Sequence, residues 1–438
     1  MNLSTFGCAC LVKQEHYFII NNLLSSAESL AFKLIYNKVE TQELLLKVVR
    51  LDDSEGKNIF AGFEVIGAPI NVERCKAISE SMSLLKKHEG HLTHLSQVPT
   101  SLKAAVFELK EGLLDLKTQL TEIENNSPQD DAKANEEYRL TIAESISDYL
   151  GEFLPTVYKQ IPPMLDRLNS EQKKVSVDFI RKQLAPLVYG APFASRAFYK
   201  PRGYAGDYEM MNHLYRNELV GRTLFDQTMH KYFIDEPAGV AVKNRGHYLF
   251  QKIRTHIEAN PNTALKILSV ASGPAMEIQL LLQNCSNLFG RSIEFTFIDQ
   301  DEESLKHAQK QIGSLERIKN SGFKFHYKNL AIKNIIVQGL PSGDFDLIYS
   351  AGLFDYFTDP VAQLAAKQMA ASLNPNGSMI IGNFSKDNPC VPFMEYILDW
   401  ILIYRSESEM VNLFKGIGSS VAIEQEDLGV NLFAVIKK

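Results

Sequence analysis

The sequence predicts an α/β protein. A Rossmann-like C-terminal domain follows a helical middle region and a small β-rich N-terminal domain. Three observations carry this expectation. From about residue 246 short apolar strands alternate with amphipathic helices, the pattern of a parallel sheet covered on both faces. Between residues 71 and 190 apolar side chains recur at helical spacing. Residues 1–70 are short runs of Val, Ile, Leu and Phe separated by turn formers.

Composition narrows the function. A chain of 438 residues exceeds one ordinary core, so several domains are expected. With 46 Lys+Arg against 52 Asp+Glu the net charge is −6, which argues against a nucleic-acid partner held by a basic surface. The five cysteines are scattered and show no zinc spacing, so no metal site is expected. Cys8-x-Cys10 lies in an apolar run and reads as a strand pair rather than a redox or metal site. The N-terminus lacks the pattern of a signal peptide, and no apolar run approaches the roughly 18 residues of a membrane span. A cytoplasmic protein without a transmembrane segment is expected.

In chain order, "TFGCACLVK", "HYFII", "LAFKLIY", "ELLLKVVRL" and "NIFAGFEVIG" read as strands of a small barrel or sandwich, PilZ-like at best. Asp52, Ser54 and Gly56 approach a cyclic-dinucleotide signature, but the glycine falls one residue early. In the helical connector of residues 71–190, Thr100 or Ser101 could cap a helix. There "ENNSPQDDAKANEE" reads as a linker. The connector could also form a homodimer. Residues 191–245 are a separate lid or cap segment built around "YKPRGYAGDYEMM", from Tyr199 to Met211. The α/β domain occupies residues 246–438.

In a doubly wound sheet, ligands bind at the carboxyl ends of the strands. "ILSVASGPAME" supplies the first strand and its turn, with Ala271, Ser272, Gly273 and Pro274 as candidate cofactor contacts. Asp299, followed by Gln300, ends the second strand where a carboxylate can accept both hydrogen bonds of a ribose diol. Asn329 and Leu330 beyond the third strand, and Ser350, Ala351 and Gly352 beyond the fourth, complete the cofactor set. A glycine turn followed by an acid suits both NAD enzymes and enzymes using S-adenosylmethionine (SAM). A pyrophosphate needs several close amides, whereas this loop has Gly273 alone. SAM, which has no phosphate, fits better. Ser269 stands where many SAM enzymes carry an acid. Glu277 could replace it near the methionine ammonium, or simply complement the helix dipole.

Five segments, "KPRGYAGDYEMMN", "LSVASGPAMEI", "FIDQDEESL", "DLIYSAGLFDYF" and "GNFS…MEYILDWILIYR", occur in one order. They resemble the bacterial SAM-dependent methyltransferases of the extracellular-factor 3-hydroxypalmitic acid methyl ester biosynthesis family. The resemblance covers roughly residues 170–438 and is faint before residue 165. It implies a class I methyltransferase fold and methyl transfer to the carboxylate of a 3-hydroxy fatty acid. The product would be a fatty acid methyl ester of the kind used in quorum sensing.

A carboxylate needs no general base at pH 7, so positioning and desolvation become the main tasks. Within the lid, Arg202 could orient the carboxylate and Tyr204 cover the ligand. Asp207 could pair with Arg202 or receive the substrate hydroxyl. The alternative is a structural cap. Asp355 and Tyr356, past the fourth strand, and Arg405, a second carboxylate-orienting candidate, complete the catalytic set. Trp400 reads as core, on a segment with helical apolar spacing. His213, His230 and His247 read as structural. Two other functions stay open: methylation of a protein side chain or another metabolite, and a SAM-binding regulator.

Overall fold

The structure, a computed structural model, describes residues 2–4, 7–12, 17–36, 39–54, 58–128, 130–261, 263–340 and 344–438. Two compact units divide at Gln97 and Val98, inside the stretch read as one helical connector.

The first unit holds β1 (Asn2–Ser4), β2 (Gly7–Val12), α1 (Tyr17–Ser26), β3 (Ser29–Tyr36), β4 (Val39–Ser54), β5 (Asn58–Ile66) and α2 (Val72–Gln97). Its antiparallel sheet runs β1-β2-β5-β4-β3. Along β4, Leu44, Leu46 and Val48 are buried while Leu45 and Val49 are exposed, the two-residue period of a sheet with one covered face. Ile20 of α1 and Cys75 of α2 join the same core. One expectation fails here. "HYFII" was read as a strand, but Tyr17 begins a ten-residue helix. A short apolar run cannot distinguish a strand from a buried helix by periodicity. Gly56 lies outside the described residues.

The second unit opens with helices α3 (Thr100–Asn125), α4 (Ala132–Tyr158), α5 (Ile161–Asp166), α6 (Ser170–Val188), α7 (Pro192–Tyr199), α8 (Tyr208–Arg216), α9 (Leu224–Asp235) and α10 (Pro237–Ala259). On α3, Leu102, Val106, Leu109 and Leu113 recur at three- and four-residue steps and form one buried stripe. Its N-cap is Pro99, without a side-chain cap, rather than Thr100 or Ser101. The polar linker is shorter than expected, since α3 runs to Asn125 and α4 starts at Ala132. Asp131 ends it and caps α4 through the amides of Lys133 and Ala134.

The α/β part continues with β6 (Leu265–Val270), α11 (Met276–Asn284), β7 (Ile293–Asp299), α12 (Glu302–Lys319), β8 (Lys324–Asn329), α13 (Ile332–Gln338), β9 (Phe345–Ser350), α14 (Asp359–Ala371), β10 (Leu373–Phe384), α15 (Val391–Tyr396), α16 (Glu407–Phe414), β11 (Ser420–Gln425) and β12 (Asn431–Lys437). The sheet order is β11-β12-β10-β9-β6-β7-β8. β6 pairs in parallel with β7 on one side and β9 on the other. β12 runs antiparallel between β10 and the edge strand β11. Chain direction along the sheet therefore reverses at β6, and a crevice opens at its tip. α10, α11 and α12 bury Leu249, Ile253, Ile278 and Ala308 against one face. α14 and α16 bury Ala366, Met369 and Met410 against the other.

The stretch carrying Trp400 departs from its helical expectation. α15 ends at Tyr396, and residues 397–405 are irregular, with Asp399 in the left-handed region at φ 52. Trp400 is nevertheless buried, as expected of a core residue.

Candidate active site

β6 ends at Val270, and the next five residues include three with positive φ: Ala271, Gly273 and Ala275. Left-handed alanines cost about 1 kcal/mol each, so the surrounding hydrogen bonds must hold this loop in place. The Ser272 amide donates to the Ile298 carbonyl at 3.1 Å. The Gly273 amide donates to Asp299 Oδ2 at 2.9 Å. A Cβ at Gly273 would meet nothing within 4 Å, so bare backbone faces open space.

Asp299 is buried at the tip of β7. Its Oδ1 accepts from the Asp301 amide at 2.9 Å, and Ser304 Oγ approaches Oδ2 at 3.4 Å. Burial pushes its carboxyl up, and the Asp301 and Gly273 amides oppose that rise. Asn329 Nδ2 donates to the carbonyls of Asp299 and Gln300, both at 3.1 Å, and the Leu330 amide to that of Asp299.

Glu277, in the first turn of α11, accepts a 2.6 Å hydrogen bond from Tyr349 of β9. Burial raises its carboxyl pKa, while the Tyr349 hydroxyl counters the effect.

The 199–211 segment roofs this crevice. Lys200 terminates α7 in the left-handed region, and Gly203 and Gly206 also have positive φ. Arg202 Nη1 reaches both oxygens of Asp301 at 3.1 Å, and its guanidinium lies 4.7 Å from the Tyr208 ring centre. The expected Arg202–Asp207 pair does not form. Asp207 instead caps α8 through the Met210 amide and accepts from Arg196 Nε at 2.7 Å. Tyr204 lines the crevice, and burial together with Asp299 and Asp301 raises its hydroxyl pKa. Tyr356 Oη donates to the Ala205 carbonyl at 2.8 Å and accepts from Trp400 Nε1 at 2.9 Å.

These elements enclose a cavity of about 330 Å³, within the range of small-molecule sites. Of the sequence-predicted residues, Ala271, Ser272, Gly273, Pro274, Glu277, Asp299, Gln300, Ala351, Gly352, Tyr204 and Tyr356 line its wall. Asn329, Leu330 and Ser350 do not. The first two brace the Asp299 turn, and Ser350 is fully buried with its hydroxyl unpartnered. Arg202 and Asp207 brace the roof. Asp355 is buried below the wall, accepts from the Phe384 amide at 2.6 Å, and has its pKa pushed up by burial to about 6. Arg405 faces away from the cavity. Its donors meet Asp359, Asn383 Oδ1 and the carbonyls of Phe354 and Phe357. His230 is structural, buried and pushed down to about 3, with its Nδ1 accepting from the Phe193 amide.

Among the wall residues that escaped the sequence reading are Arg245, Tyr215 and Tyr349. Arg245 sits in mid-α10, on the buried face that also carries Val242, Leu249 and Ile253. A cation interrupting an apolar stripe was the available signal. It was lost because the α/β domain was taken to begin at residue 246, one position beyond it.

The wall suits the cofactor read from the sequence. Ser272 Oγ is buried there without a partner, and the open side of Gly273 leaves the backbone approachable. Residues 267–377 match a protein-family model described as a methyltransferase domain. No curated protein matches. Among solved structures, the chain is similar to a possible exported protein from Bordetella parapertussis, at 13% identity and TM-score 0.43, over 68% of this chain and 96% of that one. It is also similar to magnesium protoporphyrin IX methyltransferase from Synechocystis with bound SAH, at 11% and 0.38, over 56% and 97%. A third is the N-methyltransferase NodS from Bradyrhizobium japonicum with S-adenosyl-L-homocysteine, at 14% and 0.33, over 53% and 97%. The acceptors in those names belong to those proteins. The strand order, the antiparallel β12 and the matched domain together give the C-terminal region the class I methyltransferase fold of an enzyme.

Proposed function

We propose that this protein is a SAM-dependent O-methyltransferase that methylates the carboxylate of a 3-hydroxy fatty acid or similar small acid, giving a signal-type methyl ester. The observation that carries the reading is the inventory of the cavity wall. Among its described residues there is neither histidine nor lysine, and its carboxylates Glu277 and Asp299 are engaged by Tyr349 and by loop amides. An alcohol or amine acceptor needs a base within hydrogen-bond reach, whereas a carboxylate is already ionised at pH 7. The resemblance of the five sequence segments supports the 3-hydroxy acyl class.

When bound, SAM supplies an electrophilic methyl on a positively charged sulfur. The chain's residues supply position and dryness. Asp299 would hold the ribose hydroxyls, the bare Gly273 backbone would permit close approach, and Glu277 would take the ammonium. The 199–211 segment, braced by Tyr356 through the Ala205 carbonyl, would act as lid and exclude water, and Tyr204 would help hold the reacting oxygen in line.

The test is incubation with SAM and a panel of 3-hydroxy fatty acids, followed by mass spectrometry of the organic extract. A methyl ester is expected. Methyl label retained on protein, or no ester from any acid while S-adenosylhomocysteine still binds, overturns the acceptor assignment.

A further inference from the structure

Two arginines were expected to orient a carboxylate, and both are committed elsewhere. Arg202 is held by Asp301, and Arg405 by Asp359, Asn383 and two carbonyls. The cavity wall contains a third, Arg245, the only cation among its described residues. Arg245 is 6% exposed. Among the described residues no carboxylate lies within ion-pair distance of its guanidinium, and its Nε has no hydrogen-bond partner. Its contacts are few and neutral. Nη2 meets the sulfur of Met211 at 3.6 Å, and the Tyr215 hydroxyl sits within hydrogen-bonding reach of the guanidinium. Nη1 would stand 2.8 Å from a Cβ at residue 352, so the guanidinium occupies space that only glycine leaves free.

A buried guanidinium without a counter-ion is costly, and a protein keeps one where a ligand provides the anion. Glu277 and Asp355 feel its charge but lie beyond ion-pair contact. The guanidinium fork matches a carboxylate with two parallel N–H···O bonds.

We infer that Arg245 is the carboxylate receptor of the cavity: its freed donors take a ligand carboxylate beside Gly352, under the Met211 side of the roof. Two ligands could bring that group, the acceptor acid or the amino-acid end of the cofactor. The first rests on the function proposed above, and the second rests only on SAM binding.

The test compares the wild-type protein with Arg245→Met and Arg245→Lys by calorimetry. The probes are S-adenosylhomocysteine, 5′-methylthioadenosine, which lacks the carboxylate, and a 3-hydroxy fatty acid added to the homocysteine complex. Thermal unfolding without ligand is the control. Arg245→Met should unfold at or above the wild-type temperature, because no internal ion pair is lost, whereas a structural cation would lower it. A loss of about 10- to 100-fold for S-adenosylhomocysteine, with methylthioadenosine unchanged, places the contact on the cofactor. The same loss confined to the fatty acid places it on the acceptor. Arg245→Lys, which keeps charge but not the fork, should restore part of the affinity. Unchanged affinity for both carboxylate ligands overturns the inference, as does a parallel loss for methylthioadenosine. If the wild-type protein binds no acid, the proposed acceptor fails, and the S-adenosylhomocysteine arm alone decides Arg245.

Discussion

The Gly273 amide donates to Asp299 Oδ2 at 2.9 Å, tying the first loop of the sheet to the tip of the second strand. The other oxygen takes the Asp301 amide. Asparagine has only one acceptor oxygen and would turn an NH2 toward one of those donors. Asp299→Asn should therefore cost about 1–3 kcal/mol of stability and lower S-adenosylhomocysteine affinity by roughly 10-fold or more. Urea unfolding and calorimetry would read the two effects separately.

Arg202 and Asp301 hold the roof from opposite sides of the crevice, but the pair is partly exposed. Arg202→Ala should cost no more than about 1 kcal/mol of global stability. It should accelerate cofactor dissociation and raise KM more than it lowers kcat, as stopped-flow and steady-state rates would show. Asp301→Ala should cost more, because Asp301 also caps α12 through the Glu303 amide.

Gly352 and Gly382 make a controlled pair. A Cβ at 352 would meet the tip of the flexible Arg245 side chain, whereas a Cβ at 382 would meet the Ala351 carbonyl, which is backbone. Gly352→Ala should fold within about 1 kcal/mol of wild type and lose activity, because the guanidinium is displaced. Gly382→Ala should destabilise by about 2 kcal/mol or more through overpacking. Thermal melts of the two variants would show the difference.

Asp355 predicts a pH signature. Its folded-state pKa is raised from 3.8 to about 6 by burial. Below about pH 4 both folded and unfolded states hold the proton. Between about 4 and 6 the unfolded chain releases it first, so stability falls as pH rises and levels off above 6. Asp355→Asn removes that slope. The stability difference between variant and wild type should shift by roughly 1–3 kcal/mol across this window, measured by urea unfolding at each pH.

The α/β domain was legible because its central strands are buried on both faces and its glycine turn and terminal aspartate follow from strand ends. Gly273 and Asp299 were placed on the cavity wall by that logic alone. Partners chosen by proximity in sequence were less secure. Arg202 lies five residues from Asp207 yet pairs with Asp301, ninety-nine residues away, because the end of α7 turns the guanidinium toward the sheet. Arg405 read as a free cation because nothing in its neighbourhood reveals the carbonyls that surround it. Arg245 was missed because the boundary drawn at residue 246 cut it off from the apolar stripe of α10 that it interrupts. The "HYFII" helix shows the limit of period reading in five residues.

The chain has one tryptophan, and it stands against the roof of the cavity. Trp400 donates to Tyr356 Oη, and a Cβ on Gly206 would touch its ring at 3.1 Å. All indole emission from this protein therefore originates beside the roof of the cavity. A fluorescence titration needs no label, and any change in intensity or wavelength on adding a nucleoside reports a single location. The fold thus contains its own optical probe for the event its mechanism depends on.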